Sequence, residues 1–211
     1  MLAPTFTEFV ARAAILALVL SAMALIDWRI HRERSTRWRE YTFLALCGLA
    51  GAVFGVCVDA FTASASPEYF WYGKGVPNDD QYWPSVAQIG FQAGFVAGAV
   101  IGGLLLVTNS VNRQIASLPI LRLCCHIPWI AVAAVATGTI SGLFLPKLNP
   151  LGLREQMSGL LTQDELMRFM TVWSVHAGLY CGGCIGTLGS CARVWRARRY
   201  VVLRELRVLV G

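Results

Sequence analysis

The stretch 86–108, VAQIGFQAGFVAGAVIGGLLLVT, contains no charged residue, and glycine recurs in it at every fourth position: Gly90, Gly94, Gly98 and Gly102. Four residues is close to one helical turn, so these glycines form a stripe without side chains along one helix face. In water the helix would suffer, because each interior glycine costs about 1 kcal/mol relative to alanine. In a bilayer the same stripe lets a neighbouring backbone approach closely, which is how membrane helices associate. A second apolar run repeats the spacing with Gly178, Gly182 and Gly186. The stripes predict an all-α, integral-membrane helix bundle packed through glycine zippers.

Working outward, the 211 residues have a mean hydropathy of +0.56, and only 14% are charged, well below the roughly 25% of soluble domains. They read as a single membrane domain covering 1–211. Five apolar runs, at about 9–28, 41–60, 86–108, 128–145 and 169–190, each approach the roughly 20 residues that a spanning helix needs. The first contains Arg12, with Glu8 one turn away, and Arg12 can snorkel to the headgroups. This run is expected to be an uncleaved anchor and makes a poor secretory signal, because its basic stretch follows the apolar segment instead of preceding it.

Thirteen basic residues fall on one predicted side: Arg29, Arg32, Arg34, Arg37, Arg39, Arg113, Arg122, Arg193, Arg196, Arg198, Arg199, Arg204 and Arg207. The opposite loops hold Lys74, Lys147, Arg154 and Arg168. This asymmetry predicts five spans in a bacterial inner membrane, N-terminus outside and C-terminus cytoplasmic. The net charge of +6 follows from a basic rim facing anionic headgroups and calls for no nucleic acid. Residues 192–210 form a basic cytoplasmic helix, either a plain extension of the last span or a helix lying on the surface. Tyr69, Trp71, Tyr72, Tyr82 and Trp83 read as an aromatic belt at the outer interface. Thr162 and Glu165 have capping-box spacing, which starts the last helix just outside the membrane.

Small-residue faces also occur on the second run, with Cys47, Gly51 and Gly55, and on the fourth, with Ala134, Gly138 and Gly142. The first run lacks one. A four-helix core of spans two to five, with the first span at the periphery, is the expected arrangement.

Charge inside a span is costly and marks a functional candidate. Asp59 continues the 47–51–55 stripe, His176 lies two turns inside span five, and Tyr180 follows one turn later. With Glu68 from the following loop and Gln92 (beside Gln88) of span three, they define an expected polar centre near the outer leaflet. Three chemistries suit it: an Asp–His proton relay, a divalent-cation site, or a buried hydrogen-bond network that fixes helix register. No HExxH spacing supports the cation site, so no metal or other cofactor is assigned.

Cys181-Gly182-Gly183-Cys184 is a CxxC, but neither outer loop has a cysteine to relay electrons. Cys47, Cys57, Cys124, Cys125 and Cys191 fit as small apolar packing residues. Cys124-Cys125-His126 has no recognised metal spacing. Walker, GxSxG and HExxH motifs are lacking, so no catalytic residue is assigned and an enzyme is the less favoured class.

Residues 59–70, DAFTASASPEYF, resemble a signature of a family of uncharacterised bacterial polytopic membrane proteins. In that family a span ends in an acidic residue and a Thr, then leads into Ser-Pro-Glu-Tyr-Phe. A glycine-rich span follows, and a late span carries a His, a Tyr and paired Gly, here His176, Tyr180, Gly182 and Gly183. The resemblance covers roughly residues 41–199 and implies a four-span plan without implying an activity. The chain departs from it in its additional first span, in the apolar Val58 and Ala60 beside Asp59, and in a third span without the tryptophans of that family. The leading expectation is a small permease, channel component or proton- or ion-coupled protein. The alternatives are a structural assembly subunit, as a homo-oligomer or with another membrane subunit, and a membrane thiol–disulfide oxidoreductase.

Overall fold

The computed structural model describes residues 6–111 and 117–210, with the side chains of all but Arg34, Pro150 and 201–210. Arg113 and the side chains of Arg34, Arg204 and Arg207, part of the basic count, lie outside the described residues. The described chain is helical: α1 (Phe6–His31), α2 (Arg37–Ala65), α3 (Tyr82–Ser110), the short α4 (Ile120–Cys124), α5 (Ile127–Leu148), the short α6 (Leu153–Met157) and α7 (Gln163–Val210).

Among the described residues, four segments are long and apolar enough to cross a bilayer: Phe6–His31, Arg37–Ala65, Tyr82–Ser110 and Ile120–Leu148. The fifth predicted span differs. Residues 169–190 are helical within α7, yet Ser174, His176, Tyr180 and a run of glycines dilute their apolar character, and they do not join this set. The basic tail continues α7 without a break to Val210.

The helices form two antiparallel hairpins, α2 with α3 and α5 with α7, each in contact along its length. Glycine accounts for the closeness of both. A methyl group on Gly51, Gly55, Gly94 or Gly98 would run into the backbone of the facing helix. In the second hairpin, one on Gly182 would lie 2.5 Å from the Ala133 carbonyl oxygen, and one on Gly186 would lie 3.0 Å from Cα of Ile130. Gly90, Gly102, Gly138, Gly142 and Gly178 are similarly crowded by their partner helices or by Leu179 and Val175 along α7.

Side-chain cores close the two ends of the bundle. The upper end, carrying the 66–81 and 149–162 connections, packs Ala63, Phe70, Val86, Leu166, Phe169 and Met170. The lower, basic end packs Phe43, Cys47, Leu105, Leu123, Ile130 and Val194. There Asn109 takes both backbone groups of Leu118, at 2.8 and 2.9 Å. Arg198, buried in α7, donates to the Thr108 carbonyl oxygen at 2.8 Å. It thereby ties α7 to one of the last carbonyls of α3.

α1 stands apart. None of its apolar window is buried, and it touches the bundle mainly through α2 and through Phe6 and Phe9, which meet Phe91 and Phe95 of α3 edge-on.

Candidate functional site

The upper end of α2 continues its glycine stripe into Asp59, so the carboxylate points into protein and the residue is buried. One turn later Thr62 donates its hydroxyl to the Val58 carbonyl at 2.8 Å. That spends its only proton, so the 3.2 Å contact between Thr62 Oγ1 and His176 Nε2 has the imidazole as donor. His176 Nε2 also lies 3.7 Å from Asp59 Oδ1, too far for a hydrogen bond but within ion-pair range.

The chain then turns back over this group. Ser66 donates its N–H to Thr62 to close α2, and its hydroxyl to Glu68 Oε2 at 2.9 Å. A single π-helical turn, Tyr69–Gly73, follows, a wide geometry found disproportionately at functional sites. Gly75, at φ +67°, supplies the left-handed residue that ends it. The result is that Lys74, fifteen residues beyond Asp59, places Nζ 2.8 Å from Asp59 Oδ2. The same ammonium sits 4.8 Å from the Phe70 ring centre and 5.7 Å from that of Tyr69. The Tyr69 ring stacks on His176 at 4.9 Å and 21°. Burial drives the Tyr69 hydroxyl above the ordinary phenol value, with the nearby Tyr180 and Asp59 adding to it.

Glu68 is buried beside this cluster but has its own counter-ion, because Arg168 of α7 donates to Oε1 at 2.6 Å. Arg168 is 49% exposed and Glu68 6%. The expected polar centre therefore divides in two. Asp59 and His176 meet, joined by Lys74, Thr62 and Tyr69, while Glu68 belongs to a separate pair.

Tyr180 is 59% exposed and makes no hydrogen bond to the cluster among the described residues, although it is within electrostatic reach of Asp59. Gln92 is half-buried, its amide nitrogen enclosed without a partner. Tyr69 is corrected from belt to core, at 8% exposure, whereas Tyr72 and Trp83 remain about half exposed.

Lys74 and Arg168 are the partners that the sequence pattern hides. The π turn that brings Lys74 back has no simple signature. Arg168 did carry a signal, since it lies two turns before His176 on the same face of α7. Among the described residues no group of three or more His, Cys, Asp and Glu side chains is placed to hold a metal ion. No protein-family model, curated protein or solved structure matches the chain.

Proposed function

We propose that the chain is a small proton-coupled membrane protein, a permease or channel component, with Asp59, Lys74 and His176 as its proton-binding centre. One observation carries this reading: a single buried carboxylate is held between an ammonium at 2.8 Å and an imidazole at 3.7 Å. A buried ion pair is weak evidence for stability, because well-packed apolar residues serve as well or better. Its location toward the end of a membrane helix favours a role that needs the charge. Protonating Asp59 would release Lys74 from its partner and alter what His176 faces, so one proton would reorganise contacts between α2, α7 and the loop joining α2 to α3.

Supporting this reading, α7 runs beside α5 from Gly142 and Thr171 to Ile130 and Gly186. If α5 spans, α7 occupies the same depth and forms a fifth span. The weight of arginine at the lower end supports a cytoplasmic location for that end, and the likeness of 59–70 to the SPEYF signature favours a bacterial inner membrane. The glycine faces are engaged within the chain, which leaves less surface for an assembly role through a partner helix. Cys181 and Cys184 are exposed free thiols, and a disulfide between them that responds to quinone would favour the oxidoreductase reading instead.

The test is proton flux into vesicles reconstituted with the purified chain and an internal pH dye. Flux is expected with the native chain and should be abolished by Asp59→Asn when equal amounts of folded, helical protein are reconstituted. Absence of native flux, or flux that survives Asp59→Asn, rejects the proposal.

A further inference from the structure

We infer that the crevice between α1 and the α2–α3 hairpin binds one anionic phospholipid, with its acyl chains between the helices and its phosphate at the lower end of α1. The crevice has a volume of about 830 Å³ and is lined by Ala17, Leu20 and Ala24 of α1, Leu44 and Ala45 of α2, and Phe95 of α3, among others. The crevice is open on one side to the surroundings of the helices, and its apolar lining gives water few partners. Hydrocarbon is the filling that a bilayer supplies.

The lower rim supplies the second half of an amphiphile site. Trp28, Trp38 and Tyr41 line that end of the crevice, the residue types that favour the headgroup depth. Trp28 also forms a wall of an adjoining recess of about 550 Å³, shared with His31, Arg32 and Glu33. The apolar crevice and a shallow recess edged by His31, Arg32 and Glu33 therefore meet at one indole ring.

Arg32 adopts φ +49° where α1 ends, and its guanidinium lies 5.6 Å from the Trp28 ring centre. Arg39 sits 5.2 Å from that of Trp38. Neighbouring charges are already committed: Arg37 pairs with Glu40 at 2.8 Å, and Asp27 takes His31 at 2.9 Å and Ser35 at 2.7 Å. Arg32 and Arg39 form no ion pair among the described residues. Two available guanidiniums against the single carboxylate of Glu33 select a negatively charged headgroup over a zwitterionic one. This site is remote from Asp59 and does not depend on the proton-coupling proposal.

The test is native mass spectrometry of the full chain, delipidated in mild detergent and offered equal amounts of palmitoyl-oleoyl phosphatidylglycerol and phosphatidylcholine. One phosphatidylglycerol per chain should be retained, preferred roughly tenfold or more. Arg32→Gln with Arg39→Gln, both exposed positions, should reduce the preference to near unity without changing the thermal midpoint. Ala17→Trp should lower retention of both lipids by filling the crevice. Equal retention of the two lipids by the native chain, no retention, or an undiminished preference in the double glutamine variant overturns the inference.

Discussion

At the residue scale, the two acid–base pairs at the upper end differ in what surrounds them, and that difference sets their energetics. Asp59 is 5% exposed and Lys74 15%, so neither charge has ready access to water. Removing one partner from a buried pair costs about 3–5 kcal/mol, because the other charge remains uncompensated. Lys74→Met strands the more deeply buried group and should lower the thermal midpoint in detergent most. Asp59→Asn strands Lys74, whose long side chain lies nearer the rim, and should cost less. The double variant should be less harmful than the sum of the two. Glu68→Gln is the contrast, because half-exposed Arg168 is free to resolvate, and a shift of about 1 kcal/mol or less is expected. Melting curves of the four variants check this order; additive Asp59 and Lys74 effects would contradict it. Asp59 and His176 were legible from the cost of placing polar groups in apolar runs. Lys74 was not, since an ordinary loop reading cannot anticipate that a π turn returns its ammonium to Asp59.

At the element scale, glycine position determines whether an added methyl harms or helps. Gly94 faces the backbone of Gly51, whereas Gly183 and Gly189 have open space where a Cβ would go. Gly94→Ala should destabilise the α2–α3 hairpin by about 1–3 kcal/mol through overpacking. Gly183→Ala and Gly189→Ala should gain up to about 1 kcal/mol from helix propensity. Thermal midpoints distinguish the two classes, and equal losses at all three sites would refute the assignment of faces. The four-residue spacing was visible in the sequence; which glycines face a partner depends on helix rotation, which spacing alone leaves open. The first helix shows the same limit. Its small residues Ala13, Ala17, Ser21 and Ala24 line the crevice although no glycine marks them.

The start of α7 carries a pH dependence of known sign. Glu165 Oε2 accepts the Thr162 N–H and the Thr162 hydroxyl, both at 2.8 Å. These bonds, to the backbone first and then the side chain, hold the carboxyl below the ordinary glutamate value. A lowered folded-state value makes the cap stabilising at neutral pH, and that contribution is lost as pH falls through it. Hydrogen exchange at the Thr162 amide should be slow at neutral pH, after correction for intrinsic rates, and lose its protection below the usual carboxylate range. Glu165→Ala should remove the protection at every pH, and persistence of protection in that variant would exclude the cap as its cause.

At the scale of the whole molecule, the second hairpin decides how the site relates to the membrane. α5 is apolar enough to span, and α7 lies against it through Gly178, Gly182 and Gly186. The part of α7 from Thr171 to Gly186 that packs on α5 cannot remain at the surface if its partner crosses, so packing should carry it across despite its polar content. The glycines and His176 that weaken its hydropathy are the residues that fit it to α5 and to Asp59. A phosphatase inserted at Gly159 should therefore be active outside the cytoplasm, and a fluorescent protein fused after Gly211 should fold and fluoresce inside it. Phosphatase activity at both positions would show that α7 does not cross, and no phosphatase activity at Gly159 would invert the bundle. With the expected result, the Asp59–Lys74–His176 cluster lies under the non-cytoplasmic surface, beneath one turn of π-helix. Under the proposed proton coupling, protons would reach Asp59 from outside past Lys74, and the closely packed glycine faces below would be the barrier that any coupled motion has to open.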